Sequence, residues 1–263
     1  MSHQQRHIIG IAGGLGPFAH IDFERKLLAA AREILGARDD QDFPEWILSS
    51  VPQTPDRTQA IAGGADDPLP YLVRSLHRLE RGDGESPGAG FAVIPCNTAH
   101  QFLPQLRGRV SIPIIDMLEE TARAIAEEWP AARTGLLATT GTVRSGLYER
   151  ALSVHGIEVV TPLQLPDGEL VQRDCVMGAI YGPWEAGAHK GGGIKSRGGT
   201  PGTARLLDEA AGLLVKLLGA TVIIAGCTEI PLAFTGETVA GAPLVDPAWV
   251  LARASIRRAY GIP

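Results

Sequence analysis

The 263-residue sequence is poor in cysteine, with only Cys96, Cys175 and Cys227, and it has no C-x-x-C pair. Three cysteines cannot all pair within one chain, and zinc motifs need closely spaced ligands, so disulfide scaffolds and zinc modules are excluded. The sequence also lacks an apolar run of membrane length, and its polar first residues do not resemble a signal peptide. These absences predict a cytoplasmic protein with free thiols, no metal and no membrane partner.

Positive charge is also limited, since 24 Lys and Arg stand against 29 Asp and Glu, for a net charge of −5. This balance argues against nucleic acid as the main partner. Hydrophobic residues make up 44% of the chain and charged residues 20%. That composition is ordinary for a globular protein and excludes wholesale disorder and fibrous classes. The length fits one large α/β domain or two smaller ones.

Short apolar runs alternate with longer segments of helical period, which is typical of βα units around a parallel sheet. The predicted strands cover residues 7–12, 46–51, 91–94, 112–115, 135–138, 157–160 and 222–225. One helix is predicted to begin at Pro17 and end at Gly36, a second to span residues 70–81, and a third to begin at Asp246-Pro247. The glycine-rich residues 182–202 predict a long mobile loop.

The chain resembles itself at two places that share nearly the same offset. Residues 10–16 match residues 135–141, and residues 93–98 match residues 223–228. The matches predict two related halves, each opening on a small-residue turn and later presenting a cysteine just past a buried strand. We expect residues 1–115 with 232–263 to form the first α/β domain, and residues 116–231 to form the second.

Cys96 and Cys227 each follow a predicted buried strand and precede a predicted helix, where parallel α/β sheets usually place ligands. The free N–H groups at the start of such a helix would stabilise a thiolate. Their neighbours can cap the helix or bind a substrate carboxylate, namely Asn97, Thr98, Thr228 and Glu229. Cys175 lies inside an amphipathic helix and is interpreted as a packing residue.

Two thiols suit one reaction particularly well. Moving a proton off one face of a carbon and onto the other needs two bases, one starting as thiolate and the other as thiol. A cysteine protease would instead need one thiol with a histidine base. His100 is near Cys96 in sequence, but a capping role for it is as consistent with its spacing as a catalytic one.

Five motifs resemble the aspartate/glutamate racemase superfamily of cofactor-independent amino-acid racemases, with the aspartate racemase branch fitting best. They occur in family order and are Gly13-Gly14-Leu15-Gly16-Pro17, Pro55-Asp56-Arg57-Thr58, Pro95-Cys96-Asn97-Thr98-Ala99-His100, Leu137-Ala138-Thr139-Thr140-Gly141-Thr142 and Gly226-Cys227-Thr228-Glu229-Ile230. The resemblance implies α/β architecture in two similar domains, each a mostly parallel sheet flanked by helices, related by a pseudo-twofold axis. It also implies an interdomain active site, no cofactor, and a homodimer.

Carried over to this chain, the resemblance implies that Cys96 and Cys227 exchange protons with a small acidic amino acid. It implies that Arg57 pairs with the side-chain carboxylate, which a guanidinium fork suits. The other implied substrate-binding residues are Leu15, Asn97, Thr98, Thr139, Thr142, Lys195, Thr228 and Glu229.

The chain departs from the family pattern at Leu15, where methionine is common, and after Ile180-Tyr181. The family lysine normally follows that pair closely, but here about ten residues intervene before Lys195. Lys195 is our first choice for that lysine and Lys190 the second, and a solvated lysine is a third interpretation. The insertion itself suggests a lid that closes over the site.

Other functions compete with an aspartate racemase. Residues 14–19 match G-x-G-x-x-A of nucleotide-binding oxidoreductases, but the predicted second strand does not end in the acidic residue that this fingerprint requires. Within the superfamily, glutamate racemase, hydantoin racemase, maleate isomerase and a decarboxylating relative remain. A non-catalytic ligand-binding regulator on the same scaffold is a further alternative.

Overall fold

The computed structural model describes residues 5–82, 87–234 and 236–263. The chain divides into two compact units, one made of the described residues of Met1–Glu120 and Ala248–Pro263 and the other of Thr121–Pro247. The sequence predicts a loop at residues 82–90, and its residues 83–86 lie outside the described residues. No helix in the described part of the chain is long and apolar enough to cross a membrane.

The regular elements alternate along the chain. The strands are β1 (Ile9–Gly13), β2 (Trp46–Ser50), β3 (Phe91–Val93), β4 (Arg133–Leu137), β5 (Glu158–Val160), β6 (Trp184–Glu185), β7 (Ala188–His189), β8 (Val222–Ala225), β9 (Thr238–Val239) and β10 (Ala242–Val245). The α-helices are α1 (Pro17–Leu35), α2 (Arg57–Ile61), α3 (Leu69–Arg81), α4 (Leu103–Arg107), α5 (Met117–Glu128), α6 (Thr140–Arg144), α7 (Leu147–Ser153), α8 (Gly168–Leu170), α9 (Gly178–Tyr181), α10 (Ile194–Arg197), α11 (Pro201–Leu218) and α12 (Pro247–Tyr260). Four short 3-10 helices (Asp40–Asp42, Thr98–Phe102, Pro162–Gln164 and Ile230–Ala233) and one π-helix (Val171–Met177) complete the list.

The first unit is built on a parallel sheet in the order β2-β1-β3. Every residue of β1 and β3 is buried, as expected for strands covered on both faces. Helices α1 and α12 contribute to the apolar cluster that contains Ile9 and Ile11, while α3 and α4 contribute to the cluster around Ala12 and Ile94. The predicted βα pattern is therefore confirmed here, including the helix from Pro17 to the left-handed Gly36.

The second unit is built on a sheet in the order β5-β4-β8-β10-β9, in which only the edge strand β9 is antiparallel. Strand β8 coincides with the predicted residues 222–225 and is fully buried. Its apolar side chains pack with those of α11, the π-helix and Ile194 of α10. Two α/β units with mostly parallel sheets are therefore present, as the fold prediction required.

The prediction of a strand at residues 112–115 is wrong. Only a single parallel bridge joins Ala92 to Ile114. Ala92 N–H donates to Pro113 O (2.8 Å) and Ile115 N–H donates to Ala92 O (3.0 Å). Pro113 has no N–H to donate, so the ladder does not extend on that side, and on the other side Met117 N–H donates to His100 Nε2 instead.

Residues 182–202 are also more ordered than a loop without regular structure. They contain the β6–β7 hairpin, helix α10 and the start of α11. Ala186 and Gly187 both have positive φ angles (49° and 82°), which is the conformation of the tight hairpin turn that matches strand twist. A Cβ at Gly182 would lie 1.9 Å from Gly191 O, so this position accepts only glycine.

Residues 232–247 group with the second unit, whereas the sequence assigned them to the first. The reason is strand pairing: Leu244 and Val245 of β10 pair with Ile223 and Ile224 of β8. The chain therefore returns to the first unit at Ala248, within the first turn of α12.

Candidate functional site

In the first unit, the glycine-rich turn and Cys96 lie at the same edge of the sheet. The turn follows β1 and Cys96 follows β3, and these strands are parallel neighbours with Ile11 opposite Val93. Carboxyl ends of neighbouring parallel strands meet at one edge, which is where α/β sheets bind ligands. We call this group of residues the first half-site.

The turn of the first half-site is held by side chains from outside it. Gly14 N–H donates to His20 Nδ1 (3.1 Å), and burial lowers the pKa of His20 against the opposing charge of Glu24. A Cβ at Gly14, whose φ is +84°, would lie 2.5 Å from Val51 N, so glycine is required. Leu15 is buried, and its carbonyl accepts a hydrogen bond from Arg57 Nη2 (2.5 Å).

Arg57 is 7% exposed and lies at the start of α2. Its Nη1 donates to Pro55 O (3.1 Å) and Thr54 O (3.4 Å), in addition to the bond from Nη2 to Leu15 O. Helix α2 also packs against the 3-10 helix Thr98–Phe102. The structure therefore brings Arg57 into the first half-site, where it links the turn to the proline-rich loop.

Cys96 is 6% exposed and is followed by Asn97 and Thr98, both buried. The expected helix after this cysteine is present only as the 3-10 helix Thr98–Phe102 followed by the five-residue α4. Short 3-10 segments align fewer peptide dipoles than an α-helix, so we expect less stabilisation of a thiolate from this source than the sequence suggested.

Both ring nitrogens of His100 are hydrogen-bonded to backbone groups. Its Nε2 accepts a hydrogen bond from Met117 N–H (3.1 Å), so its Nδ1 carries the proton and donates to Cys96 O (2.9 Å). Burial lowers the pKa of His100, against the opposing charge of Asp116. Of the two roles left open by the sequence, this geometry favours positioning of the Cys96 backbone over proton transfer.

The second unit repeats the arrangement, and we call its group of residues the second half-site. The turn at Thr139–Thr142 follows β4 and Cys227 follows β8, which is the parallel neighbour of β4. Gly226 N–H donates to Leu137 O (2.7 Å). Thr139 and Thr142 are buried, and their hydroxyl oxygens lie 3.2 Å apart. The predicted repeat thus corresponds to two equivalent strand–turn–cysteine arrangements.

Gln172 and Met177 of the π-helix contact this second turn, and no sequence motif predicts these contacts. Gln172 is 1% exposed, and its Nε2 donates to Ala138 O (2.9 Å) and Thr140 Oγ1 (3.3 Å). Thr140 N–H in turn donates to Met177 Sδ (3.3 Å). A π-helix changes which residues share a face, and π-helices are frequent at functional sites.

Cys227 belongs to the apolar core of the second unit but contacts one buried carboxylate. Its Sγ donates to Glu229 Oε2 (3.0 Å), and Thr228 Oγ1 donates to the same oxygen (3.2 Å). Lys195 Nζ lies 2.8 Å from Glu229 Oε1. Burial raises the pKa of Cys227 well above its ordinary value, the Glu229 charge raises it further, and the Lys195 charge opposes both.

The two candidate lysines differ in position. Lys195 belongs to the second half-site through Glu229, whereas the exposed Lys190 is fixed by its backbone N–H, which donates to Pro183 O (3.0 Å). Cys175, in the π-helix, is partly buried against the apolar core, as its interpretation as a packing residue requires. Within the described ranges, no three His, Cys, Asp or Glu side chains are grouped as a metal site requires.

The family described as Asp/Glu/Hydantoin racemase matches residues 13–255 of the chain. A broad-specificity amino-acid racemase, RacX of Bacillus subtilis (strain 168), is 30% identical over 159 residues, which are 58% of this chain and 63% of that protein. A glutamate racemase of Aquifex aeolicus (strain VF5) is 26% identical over 144 residues, 51% of this chain and 56% of that protein. The chain thus spans less than two thirds of the length of these curated relatives.

Solved structures show the same fold. An aspartate racemase of Picrophilus torridus superposes with a TM-score of 0.72 at 24% identity, covering 97% of this chain and 94% of that one. An aspartate racemase homologue from Pyrococcus horikoshii OT3 superposes with a TM-score of 0.64 at 22% identity, covering 96% and 98%. At these identities the likeness concerns the fold alone.

Proposed function

Because the chain belongs to the Asp/Glu/Hydantoin racemase family, we propose that it is an amino-acid racemase that works without pyridoxal phosphate. Its substrate is an acidic amino acid, with aspartate favoured over glutamate. The observation that carries the proposal is the equivalent placement of Cys96 and Cys227, each just past a buried strand and beside a turn. A two-base reaction needs two such groups.

In the proposed reaction, the thiolate of one cysteine removes the α-proton and the thiol of the other donates a proton to the opposite face of the carbon. The product leaves the two cysteines in exchanged protonation states. The scheme requires both thiols to reach the α-carbon of one substrate molecule. The negative charge that develops on the substrate needs hydrogen-bond donors arranged in advance, and the backbone N–H groups and hydroxyls of the two turns are candidates.

The aspartate preference rests on Arg57, the buried guanidinium of the first half-site. Lys195 and the side chains of Asn97, Thr98 and Thr228 are proposed to hold the substrate's carboxylates and orient the α-carbon. The homodimer and the cytoplasmic location expected from the sequence remain predictions, and light scattering of the purified protein tests the first of them.

A broad-specificity racemase is the second candidate. Two observations favour it: the similarity to RacX, and the three backbone carbonyls that already accept hydrogen bonds from the Arg57 guanidinium. A guanidinium used to hold a loop is less available for a substrate carboxylate, and the preference for acidic substrates would then be weak.

Incubation in D₂O tests the proposal directly. The protein, without added cofactor, is given L- or D-aspartate, then glutamate, then neutral amino acids. We expect solvent deuterium at Cα together with loss of optical rotation, fastest with aspartate. Comparable rates with neutral amino acids would favour the broad-specificity candidate. Absence of exchange with every amino acid tested would overturn the racemase proposal.

A further inference from the structure

Glu229 is a buried carboxylate whose two oxygens are both used by neighbouring side chains. The residue is 1% exposed. Its Oε1 lies 2.8 Å from Lys195 Nζ, and its Oε2 accepts from Cys227 Sγ (3.0 Å) and Thr228 Oγ1 (3.2 Å). An ionised carboxylate is expensive to bury unless it is paired and hydrogen-bonded. This arrangement meets that requirement and makes Cys227 one of the donors.

The hydrogen bond from Cys227 exists only while its sulfur is protonated. Loss of that proton would place a thiolate 3.0 Å from a carboxylate oxygen inside the protein, where like charges repel strongly because screening is weak. The charges acting on Cys227 are Glu229, which opposes the thiolate, and Lys195, which favours it. Burial is the largest influence keeping the sulfur protonated, and the balance between these two residues adds to it or opposes it.

Lys195 follows the glycine-rich segment, and its ammonium lies near both Glu229 and an aromatic ring. It lies on α10, its side chain is 20% exposed, and its Nζ lies 5.4 Å from the centre of the Tyr181 ring. The Tyr181 ring is 6.0 Å from that of His189, which meets Trp184 edge-on at 4.9 Å. A cation over an aromatic face is stabilised, so Tyr181, which precedes the insertion, helps to hold the ammonium that balances Glu229.

We propose that Glu229 is a positioning residue that holds the Cys227 thiol in its protonated form in the resting protein, with Lys195 as the counter-ion. This differs from the substrate-binding role that the motif implied. Together with the proposed racemase reaction, on which this step rests, it makes the two cysteines unequal at the start of turnover. In a turnover that starts from protonated Cys227, this residue is the acid, and the two-base scheme leaves the role of base to Cys96.

The proton balance of a turnover follows from this assignment. The Cys96 thiolate takes the α-proton, and Cys227 gives its S–H proton to the opposite face of the carbanion. Cys96 is left as a thiol and Cys227 as a thiolate beside Glu229. Return to the resting state needs one proton released from Cys96 to water and one taken from water by Cys227. Repulsion between the Cys227 thiolate and Glu229 favours that return.

The protonation of Cys227 can be measured without substrate. In the Cys96→Ser/Cys175→Ser protein, Cys227 is the remaining cysteine of the sequence, and its thiolate is followed by ultraviolet absorbance against pH. We expect a midpoint above the ordinary value of about 8.5. Glu229→Gln should lower the midpoint by about one pH unit or more, whereas Lys195→Met should raise it.

Opposite shifts in these two variants are the decisive result. A merely structural disturbance would expose Cys227 to water and move both midpoints in the same direction, towards that of a solvated cysteine. Glu149→Gln removes another partly buried carboxylate of the same unit that is not among the charges acting on Cys227, and it should leave the midpoint unchanged. An unchanged or raised midpoint in Glu229→Gln overturns the proposal. If that variant does not fold, a fall in Lys195→Met overturns it equally.

Activity provides an independent readout. In the otherwise unaltered protein, Glu229→Gln should move the alkaline limb of the pH profile of kcat/KM to lower pH, since that limb reports loss of the acid's proton. The absorbance titration needs no turnover, so its failure leaves the racemase proposal intact. Failure of deuterium exchange, conversely, would leave the titration result standing.

Discussion

The two half-sites share a backbone plan but differ in the charge around the thiol. Cys96 is positioned through backbone groups and the neutral His100, whose ring is hydrogen-bonded at both nitrogens. Cys227 donates directly to a carboxylate, which a lysine balances. A repeated fold therefore does not imply a repeated electrostatic environment. Equivalent strands position the two thiols, and residues outside the repeat, such as Lys195, make the charge around them different.

Replacing each cysteine with serine should have the largest effect. Either Cys96→Ser or Cys227→Ser should lower the racemisation rate by about 10²–10⁴-fold, because an alcohol is a far poorer acid–base group. Polarimetry with L- and D-aspartate measures it. Cys175→Ser is the matched control, and its racemisation rate should stay within about twofold of that of the parent protein. Full activity in either of the first two variants would remove that residue from the reaction.

Arg57→Leu should have the next largest effect and probes the first half-site alone. If the guanidinium binds the substrate's side chain, kcat/KM for aspartate should fall about 100-fold more than kcat/KM for a neutral amino acid, as expected for loss of a charged hydrogen bond. Parallel kinetics on the two substrates give the ratio. An equal loss on both, with a lower melting temperature, would show that Arg57 only ties Leu15 to the proline-rich loop.

His100→Gln should have the smallest effect, on stability and on its pH dependence. Two buried hydrogen bonds are disturbed, so the free energy of unfolding should fall by about 1–2 kcal/mol. Burial lowers the pKa of His100 in the folded state, so the unfolded chain takes up the proton first. The contribution of neutral His100 to the free energy of unfolding is therefore fully present above its pKa in the unfolded chain, about 6.5. It declines as the pH falls below that value.

The His100→Gln variant should lose part of this acid-dependent decline, as measured by urea unfolding at neutral and mildly acidic pH. His20, whose pKa burial also lowers, contributes to the remainder. His155→Gln removes an exposed histidine and should keep the parent's pH dependence. An identical decline in His100→Gln and the parent would contradict the assignment of His100 as a buried neutral group.

Much of the fold was predictable because strands and helix ends are marked by short stretches of neighbouring residues. Continuous apolar runs identified β1, β3, β4 and β8, and the turn chemistry of Pro17 and Gly36 set the limits of α1. The placement of both cysteines followed from the strands. The failed strand at residues 112–115 had the right hydrophobicity but carried Pro113, whose missing N–H prevents the single bridge from extending on that side.

The contacts within each half-site were less predictable because they depend on tertiary geometry. Gln172 contacts the second turn from a π-helix. The spacing of apolar residues in the sequence does not show that this helix has a different number of residues per turn from an α-helix. The contact between Lys195 and Glu229 joins residues 34 positions apart across an insertion. Arg57 was identified from its motif, but its bonds to three backbone carbonyls were not.

The inserted segment has a consequence for how this chain could be altered. The two ends of this segment contact each other, with Gly182 against Gly191. His189 Nδ1 is 2.7 Å from Gly182 O, and Lys190 N–H donates to Pro183 O (3.0 Å). A segment closed by its own ends can be exchanged for another hairpin without redirecting the chain on either side, because loop closure costs little extra. Residues 183–190 are therefore a natural grafting position, where the hairpin can be exchanged while the sheet and its cysteines stay fixed.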